Sequence, residues 1–558
     1  MSDLLDDVTA AAGLTVFGAA AVAGGIGTRA LPGLPDWSPD YDVMPRVTAL
    51  RAELRALGLD RVVLADGDAA APTARAAEAI TRTLGVPLTV LSGTDPHGVA
   101  TAVADRLQRT VVVLTSTSPT STSLATDSHR RAYLQAFEDH GIQDVDRRFV
   151  FVAVPGSPLA TIALEMGAQL FLAQPGALSA HSLVPAGLAG ADIGDLVEQA
   201  FALAEPPRRR SAPAGFALPA TGFTPALPAP TGTGFAPALS TPTGFIPAPS
   251  APIGEALPAE QFERPAAALG AALAAAVAAG RDKLALAPDG SGIVGLGEWI
   301  ADLLTTAGSR AVPVVLETPS SWGHEGPDVL SVTVGGALVS GVMPGGGIAP
   351  DLAVNGPLGA QLLAWEQALT VAGLIDPAAP TGTGGSSSPE GVLRVLDTGL
   401  PPQAPAFVDG AVEVHGAVTA TTLIGALDEF ARAVPPGATL AVHAHLDRTA
   451  DAAALAVRTG LAGRVNRAVT FAWGGAPVQP ATGVGGAGGT PAATTIQITG
   501  AVPEDLRVPG RPYTFGDLQA AEAADDRQAL LDRGVPLLRL HLTDRNSGID
   551  QLLAALGG

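Results

Sequence analysis

Two histidines in one apolar run are the first residues whose spacing could do chemistry. His443 and His445 alternate along a predicted strand, so both side chains point to the same face, which suits two imidazole ligands of a zinc ion. No third ligand is evident beside them, and the chain contains no cysteine, which excludes thiolate metal sites, disulfides and cysteine nucleophiles. We therefore interpret the pair as ordinary strand residues and predict no metal and no other cofactor.

Other short motifs with a chemical meaning are incomplete. Gly335-Gly336 and the glycine run at 345–347 lack the Lys-Ser/Thr pair of a P-loop and the strand–turn–helix spacing of a dinucleotide fingerprint, so they are interpreted as turns. His97 follows Asp95-Pro96 and opens a predicted helix, which favours a place in the capping region over a role as general base. Lys283 is the only lysine, and it lies just before a predicted strand.

Charge and terminal composition limit the partners and the compartment. The net charge of −21 disfavours nucleic acid and anionic membranes, because both are bound by neutralising phosphates. The stretch 9–27 is uncharged but consists mostly of Ala and Gly, so it is interpreted as a soluble helical segment and not as a membrane span. A secretory signal peptide starts with basic residues, whereas this sequence starts with Asp3, Asp6 and Asp7. We expect a cytoplasmic protein with no membrane partner.

Short runs rich in Val, Ile and Leu alternate with helical patterns along most of the chain. Such continuous apolar runs are typical of buried parallel strands in βαβ units. The predicted strands are 61–65, 88–91, 111–114, 149–154, 284–287, 312–316, 330–334, 352–354, 440–445, 470–473, 495–499 and 537–542. The sequence therefore predicts an α/β fold with two doubly wound parallel-sheet lobes and a C-terminal α/β segment.

Composition shifts divide the chain into six predicted segments. These are a helical N-terminal segment at 1–44, a first α/β domain at 45–204, a Pro/Ala/Gly-rich insert at 205–263, a second α/β domain at 264–380, a Gly/Ser-rich linker at 381–400 and the C-terminal α/β segment at 401–558. The insert repeats a Thr-Gly-Phe unit at Thr221, Thr233 and Thr243. Its composition favours a flexible linker, with its three phenylalanines as anchors for a partner groove as the alternative.

Several stretches resemble the actinobacterial branch of the glucose-6-phosphate isomerase family. They are Leu50-Arg-Ala-Glu-Leu through Arg61-Val-Val-Leu-Ala, Thr126-Asp-Ser-His-Arg-Arg-Ala-Tyr, Leu183-Val-Pro-Ala-Gly-Leu-Ala-Gly-Ala-Asp, Gly280-Arg-Asp-Lys-Leu, Gly356-Pro-Leu-Gly-Ala-Gln and Leu537-Leu-Arg-Leu-His-Leu-Thr-Asp-Arg. The resemblance implies two sugar-isomerase (SIS) lobes that hold a sugar phosphate at the carboxyl ends of their strands. It also implies a base, a cation and a hydroxyl-rich phosphate loop, which together move a proton between two sugar carbons.

The resemblance places the phosphate loop after the strand at 111–114. The family is expected to carry Ser-Lys-Ser-Gly-Ser-Thr there, and this chain carries Ser118-Pro-Thr-Ser-Thr-Ser. Four hydroxyls match, and the implied substrate-binding residues are Ser118, Thr120, Thr122 and Ser123. Pro119 replaces the lysine and Ser121 the glycine, so a charge and a permissive backbone are lost. A hydroxyl-rich surface turn that binds nothing remains the alternative.

The residues that the resemblance implies for catalysis are replaced. Asp66-Gly-Asp stands where the family has a Gly-Gly-Ser-Ser turn, and it brings negative charge towards an anion. Gln174 takes the place of the expected arginine, and Thr306 takes the place of the catalytic glutamate. A threonine hydroxyl is a poor base, and losing a positioned base costs roughly 10²–10⁴-fold in rate. His181, beside the lost arginine loop, is the one imidazole expected near the cleft and an alternative base.

These replacements predict a homologue of glucose-6-phosphate isomerase that is catalytically inactive and serves as a structural or regulatory subunit in sugar-phosphate metabolism, in the pathways of glycolysis and gluconeogenesis. The resemblance implies a homo-oligomer or a hetero-oligomer with an isomerase-like subunit, and a sugar phosphate as the ligand. Two alternatives stay open. One is a sugar-phosphate binding module that uses the four hydroxyls, and the other is a live isomerase with a rearranged site.

Overall fold

The computed structural model describes residues 8–11, 14–23, 37, 41–67, 72–204, 264–318, 321, 323, 325–336, 350–375, 388–400, 403–465, 467–474 and 493–557. The predicted insert at 205–263, Asp68 and the glycine run at 345–347 lie outside these residues. Three β-sheets with helices against them make up the described part of the chain. No described helix is long and apolar enough to cross a membrane.

The first described elements form a β-hairpin where a helix was predicted. Strands β1 (Val8–Ala11) and β2 (Leu14–Phe17) pair antiparallel, and within the described residues 8–23 the helical part is α1 (Ala19–Ala23). The helical prediction for 9–17 is therefore wrong. The reason is that Leu14 and Val16 are fully buried at alternate positions of β2, which is the period of a strand. This pairing outweighs the helix propensity of the alanines.

Lobe 1 is a doubly wound domain of five parallel strands in the order β4-β3-β5-β6-β7. Its elements are α2 (Val43–Ala56), β3 (Arg61–Ala65), α3 (Pro72–Thr83), β4 (Thr89–Leu91), α4 (Pro96–Ala104), β5 (Thr110–Ser116), α5 (Leu124–Asp139), α6 (Val145–Arg148), β6 (Phe149–Ala153), α7 (Pro158–Met166), β7 (Gln169–Leu172), α8 (Ala180–Ala189) and α9 (Ile193–Ala204). Strands β3, β5 and β6 are buried along their whole length, which confirms the parallel α/β class predicted from their continuous apolar runs.

Lobe 2 combines the N-terminal hairpin with elements that follow residue 264. These are α10 (Pro265–Ala278), β8 (Lys283–Pro288), α11 (Leu296–Thr306), β9 (Val312–Val315), β10 (Val329–Gly335), β11 (Leu352–Asn355) and α12 (Leu358–Ile375). The strand order is β1-β2-β11-β10-β8-β9, in which β8 to β11 are parallel and β2 pairs antiparallel with β11. Lobe 1 is thus inserted in the sequence between the hairpin and the remainder of lobe 2.

Lobe 3 repeats the sheet order of lobe 2. Its elements are α13 (Pro389–Thr398), β12 (Phe407–Asp409), β13 (Val412–His415), α14 (Leu423–Arg432), β14 (Thr439–His445), α15 (Ala456–Val465), β15 (Val469–Trp473), β16 (Ala493–Gly500), α16 (Phe515–Asp532), β17 (Leu537–Leu542) and α17 (Arg545–Leu556). The order β12-β13-β17-β16-β14-β15 again sets an antiparallel hairpin beside four parallel strands. The described parts of lobes 2 and 3 therefore share one topology.

The predicted linker at 381–400 contains a helix. Helix α13 begins after Ser388, whose side chain accepts from the backbone N–H of Gly391, and Pro389 occupies its first turn. These are ordinary helix-start signals, so treating the whole stretch as linker was wrong. Val392 of α13 packs against Leu518 of α16, which ties the helix to lobe 3.

Lobes 1 and 2 share a hydrophobic core, and lobe 3 has a separate one. One continuous core runs through lobes 1 and 2 and includes Leu64, Leu196, Leu269 and Leu362, whereas lobe 3 has a core of its own. Lobe 3 is joined to the others by polar contacts, such as the ion pair of Arg545 with Asp95 at 2.7 Å, and by smaller apolar clusters, such as that of Val99 and Phe515. Lobes 1 and 2 consequently form one packed unit, and the space between them is the natural place to search for a site.

Candidate functional site

A cavity of about 770 Å³ lies between lobes 1 and 2. Its walls come from the loop that follows β7, from the C-terminal turn of α11, from one face of α12 and from Trp37. The polar side chains in its lining are Gln174, Ser179, Glu366, Gln367 and Thr370. Ligand sites are commonly clefts of about 300–1,000 Å³ with few, well-placed polar groups, so this cavity has the size and the chemistry of a small-molecule site.

Glu366 is the ionisable group of this cavity. Helix α12 places Leu363, Glu366, Gln367 and Thr370 on one face, since their spacing of three and four residues follows the helical turn. The backbone N–H of Ala177 donates to Oε1 of Glu366 at 2.6 Å, and Oε2 has no hydrogen-bond partner among the described residues. Burial raises the pKa of Glu366 to about 7, which is the range in which a carboxyl group can both accept and donate a proton near neutral pH.

Glu366 was not identified from the sequence, although a signal was present. It is the only charged residue of α12, whose other residues are apolar, small or uncharged polar. A lone charge in an otherwise uncharged, buried helix is rarely tolerated without a purpose, because burial of a charge is costly. The resemblance directed attention instead to the end of α11, where Thr306 stands.

The structure brings two of the sequence-predicted positions to this cavity. Gln174, predicted in the place of the family arginine, lines the wall contributed by lobe 1. Thr306 ends α11, and the next residue, Ala307, lines the cavity. Both positions therefore lie at or beside the same cavity as Glu366, which the sequence analysis missed.

The cavity lining is acidic or neutral. None of the described residues that line it is Arg, Lys or His. The imidazole of His181 on α8, next to the lining residue Ala180, is fully buried and contacts the carbonyl oxygen of Ser116 through Nε2 at 3.1 Å. Burial lowers the pKa of His181, so the ring stays neutral. The cavity thus offers a proton-transfer group without a positive charge.

Lys283 supplies no charge to this cavity. Its Nζ contacts Oδ1 of Asp282 and the carbonyl oxygen of Gly437, each at 2.6 Å. It is therefore engaged at the junction of lobes 2 and 3 and is buried there.

The four predicted substrate hydroxyls lie together on the turn between β5 and α5, which we name the hydroxyl turn (118–123). Ser118 Oγ accepts from the backbone N–H groups of Thr120 and Ser121 at 3.4 and 3.2 Å, so it closes the turn. Ser123 caps α5 by accepting from the N–H of Thr126. Thr120 is exposed, and Oγ1 of Thr122 is buried without a hydrogen-bond partner in the described chain. Two hydroxyls are thus used locally, and those of Thr120 and Thr122 make no hydrogen bond in the described chain.

The loop after β3 closes against the start of α5. Asp66 is buried, and the backbone N–H of Gly67 donates to Thr126 Oγ1 at 2.9 Å. A Cβ at Gly67 would overlap the backbone of Thr126, so this glycine is needed for close packing. The segment that replaces the family's Gly-Gly-Ser-Ser turn is, in its described part, a packing contact within lobe 1.

The histidines considered from the sequence have structural surroundings. His443 and His445 lie on β14 and are both buried, and His445 Nε2 is 3.4 Å from a carboxylate oxygen of Asp526. The described residues contain no group of three side chains that could hold a metal ion. His97 lies in the first turn of α4, where Asp95 accepts its backbone N–H, as the capping interpretation predicted.

Comparison with known proteins identifies no family for this chain. No protein-family model and no curated protein matches it. Among solved structures, a glucose-6-phosphate isomerase from Chlamydia trachomatis matches with 12% identity over 71% of this chain and 91% of that chain, with a TM-score of 0.46. A hypothetical protein from Thermus thermophilus matches with 13% identity over 92% and 81%, with a TM-score of 0.33. A glucosamine-6-phosphate deaminase from Thermotoga maritima matches with 9% identity over 61% and 96%, with a TM-score of 0.30. The site is therefore interpreted from its own geometry.

Proposed function

We propose that this chain binds a sugar phosphate between lobes 1 and 2 without isomerising it, and that it acts as a regulatory or structural subunit in sugar-phosphate metabolism. The observation that carries the proposal is the lining of the cavity, which has one carboxyl group, two amides and two hydroxyls but no basic residue in the described chain. Such a lining recognises the hydroxyl groups of a sugar through directed hydrogen bonds.

The sugar end of the ligand is assigned to the cavity. Gln174 and Gln367 each carry an acceptor and two donors, and the carboxyl group of Glu366 adds acceptors or, when protonated, a donor. Trp37 provides an apolar wall, which suits the C–H face of a sugar ring. These groups can satisfy a hydroxyl-rich molecule that would otherwise lose hydrogen bonds to water on entry.

The phosphate end is assigned to the hydroxyl turn, with Ser118, Thr120, Thr122 and Ser123 as the proposed contacts. The turn follows β5 and the cavity wall follows β7, and β6 lies between these parallel strands. Two strand spacings separate their ends by about 10 Å at the same edge of the sheet. Because Ser118 and Ser123 already bond within the turn, Thr120 and Thr122 carry most of the proposed contact.

The absence of a cation in the described lining is the reason to propose binding without turnover. Aldose–ketose isomerisation develops negative charge on the substrate oxygens, and that charge needs a positive group or several donors placed against it. Glu366 could take a proton, but Gln174 offers only a neutral donor where the resemblance expects arginine. One base without its electrostatic partner leaves most of the barrier in place.

A live isomerase with Glu366 as its base is the second candidate. The raised pKa of Glu366, about 7, favours it, because a general base works best when its pKa lies near the working pH. Turnover that disappears in Glu366→Gln would establish this candidate and exclude the pseudoenzyme.

Calorimetric titration with glucose 6-phosphate, fructose 6-phosphate and glucose tests the proposal. We expect both phosphates to bind, Glu366→Gln to weaken both, and Thr120→Ala with Thr122→Ala to weaken the phosphates while leaving glucose unchanged. Glu138→Gln, an exposed carboxylate on α5, is the matched control and should bind like the wild type. Equal affinity for all variants would overturn the assignment of the site.

The proposed oligomer and the cytoplasmic location rest on the same assignment. A homo-oligomer, or a complex with an isomerase-like subunit, is proposed as the working form. Light scattering of the purified chain, alone and mixed with an active isomerase from the same cells, would reveal an oligomer or a complex as a mass above that of one chain.

A further inference from the structure

One face of the lobe 3 sheet is polar across four strands. The strand register sets eight side chains in two rows on this face, which we name the polar face. The first row is His415, Arg539, Gln497 and His443, and the second row is Glu413, His541, Thr499 and His445. Directly opposed residues in neighbouring strands lie about 4.5–5.5 Å apart, so each row is a line of side chains in contact range.

The polar face is not needed for the core of lobe 3. Alternate residues of the same strands point to the other side and fill the apolar core, for example Val414, Leu540, Ile498 and Val442. Parallel strands such as β14, β16 and β17 are usually apolar on both faces, so a polar second face is unusual in this sheet. Four histidines and an arginine gathered there under partial burial therefore call for a separate explanation.

Helix α16 covers part of the polar face and leaves part open. Gln497 Nε2 donates to the carbonyl oxygen of Ala523 on α16 at 2.7 Å, and His445 approaches Asp526 of the same helix. These contacts cover the end of the rows nearest β14. Arg539, His541 and Thr499, nearer the other end, stay partly exposed, so a small molecule has access to them.

Two arginines at this open end lack the carboxylate partners that arginines usually have. Arg527, on α16, is partly buried and has neither an ion pair nor a hydrogen bond among the described residues. Arg539 donates only to neutral groups, Thr499 Oγ1 at 3.4 Å and Gln403 Oε1 at 3.3 Å. Partial burial lowers the pKa of Arg539, the positive charge of Arg527 adds to this, and Glu413 opposes it. Glu413 supplies one negative charge against two partly dehydrated guanidinium groups, so an added anion would balance the second.

Two acids lie on or beside the polar face, and Glu413 also acts on Arg539 and His541. Glu413 lies 3.4 Å from His415, and Asp526 lies 3.4 Å from His445. The donors that face a ligand are guanidinium groups, the Thr499 hydroxyl and the His541 imidazole, whose Nδ1 lies 2.9 Å from Thr499 Oγ1, and Glu413 lies opposite His541 in the register. Guanidinium groups bind phosphate oxygens through paired hydrogen bonds, and a phosphate monoester has enough terminal oxygens to accept from all of these donors.

We propose that Arg527, Arg539, Thr499 and His541 form a second binding site, for a phosphate group, on the polar face of lobe 3. The site is separate from the cavity between lobes 1 and 2, and it brings to lobe 3 the positive charge that the cavity lining lacks. A phosphorylated metabolite at this position would bind without any contact to Glu366 or the hydroxyl turn.

Inorganic phosphate is the probe, measured by calorimetry and by the shift of Tm in a buffer free of other anions. We expect saturable binding that Arg527→Gln and Arg539→Gln each weaken by tenfold or more. Arg394→Gln is the matched control. Arg394 is an exposed arginine of α13 that pairs with Asp525 of α16, and this variant should bind phosphate like the wild type. Arg527→Lys keeps the charge and should retain part of the affinity, which separates loss of the site from loss of folding.

Two outcomes would overturn the proposal. One is a wild-type protein that shows neither heat nor a Tm shift with millimolar phosphate. The other is phosphate binding that survives in both Arg527→Gln and Arg539→Gln but is lost in Thr120→Ala with Thr122→Ala, which would place the anion at the hydroxyl turn. Loss in the arginine variants with retention in that double variant supports the lobe 3 site and leaves the proposed function of the cavity to its own test.

Discussion

Ala177 donates its backbone N–H to Oε1 of Glu366 across 2.6 Å, and this bond joins the loop after β7 in lobe 1 to helix α12 in lobe 2. The cavity wall and the ionisable group of the cavity are therefore held together by one contact. A ligand that enters the cavity meets a carboxyl group with one oxygen fixed and the other without a hydrogen-bond partner in the described chain. Its protonation state should affect both stability and binding.

Replacing Glu366 with Gln should flatten the pH dependence of stability. The folded pKa is raised from 4.5 to about 7, so the folded state binds more protons than the unfolded state between these values, and stability falls as pH rises through this window. Glu366→Gln cannot ionise and should remove about 1 kcal/mol of that fall, after allowance for the partial exposure of the carboxyl group. Urea unfolding at pH 5 and pH 7 measures the effect. Glu522, whose pKa is also raised to about 7, contributes the same slope in both proteins, so a difference between them belongs to Glu366.

Thr122→Val should separate stability from binding. The hydroxyl of Thr122 is buried without a partner, and valine has the same shape without the hydroxyl, so the stability of the free protein should be unchanged or higher by up to about 1 kcal/mol. Affinity for glucose 6-phosphate should fall if this hydroxyl faces the phosphate. Thermal unfolding measures the stability and calorimetry measures the affinity on the same sample. A stable variant with wild-type affinity would remove Thr122 from the proposed site.

Asp127 should contribute stability that is lost in acid. Its carboxylate accepts from Arg130 and Arg131 of its own helix and from Arg511 of lobe 3. These hydrogen bonds outweigh burial and lower its pKa from 3.8 to about 2. A lowered folded pKa means that the stabilisation is complete above about pH 4 and is lost as pH falls towards 2.

Asp127→Asn tests this contact. We expect its free energy of unfolding to be about 2 kcal/mol lower than that of the wild type at pH 7, since three guanidinium groups lose their shared carboxylate. Near pH 2 the two proteins should differ little. Asp146→Asn, in the short helix α6, is the control for removing one acidic charge from the same lobe. Equal unfolding free energies for Asp127→Asn and wild type at pH 7 would contradict the expected stabilisation.

Gly18→Ala should loosen the N-terminal hairpin. Gly18 has a φ of 78°, and a Cβ there would overlap the carbonyl oxygen of Asp351, the residue before β11. Gly58 is a matched control because it also has a φ of 78° but nothing lies within 4 Å of its Cβ position. Gly58→Ala should lower the free energy of unfolding by about 1 kcal/mol through backbone strain alone. Gly18→Ala should lower it by about 2 kcal/mol more, because of the overlap. Equal losses in chemical denaturation would show that the hairpin adapts freely.

The α/β class could be predicted from the sequence because its signal is local. Strands such as β5 are continuous apolar runs that end in hydroxyl residues, and periodicity alone predicts their type. The hairpin β1–β2 was missed because its stability depends on pairing with β11, more than 300 residues later, which no local pattern records. Helix α13 was missed for a different reason, since the glycine and serine residues before it hid the Ser-Pro start signal.

The candidate site was only partly predictable for the same reason. Gln174 and the hydroxyl turn follow strands, and their approximate place at the carboxyl edge of a sheet follows from the fold class. Glu366 reaches the cavity because α12 packs across lobe 1, through contacts such as the bond from the N–H of Gly359 to Gln199 at 2.9 Å. Arg539, Thr499 and His541 come together through sheet register. Long-range packing of this kind is not written in residue spacing.

The most direct test of the account is a coupled isomerase assay run on the same wild-type sample, and at the same pH, as a calorimetric titration with glucose 6-phosphate. We predict saturable binding with no formation of fructose 6-phosphate above the rate in buffer. Turnover that is abolished by Glu366→Gln and retained by Glu138→Gln would contradict the account and make the cavity an active site.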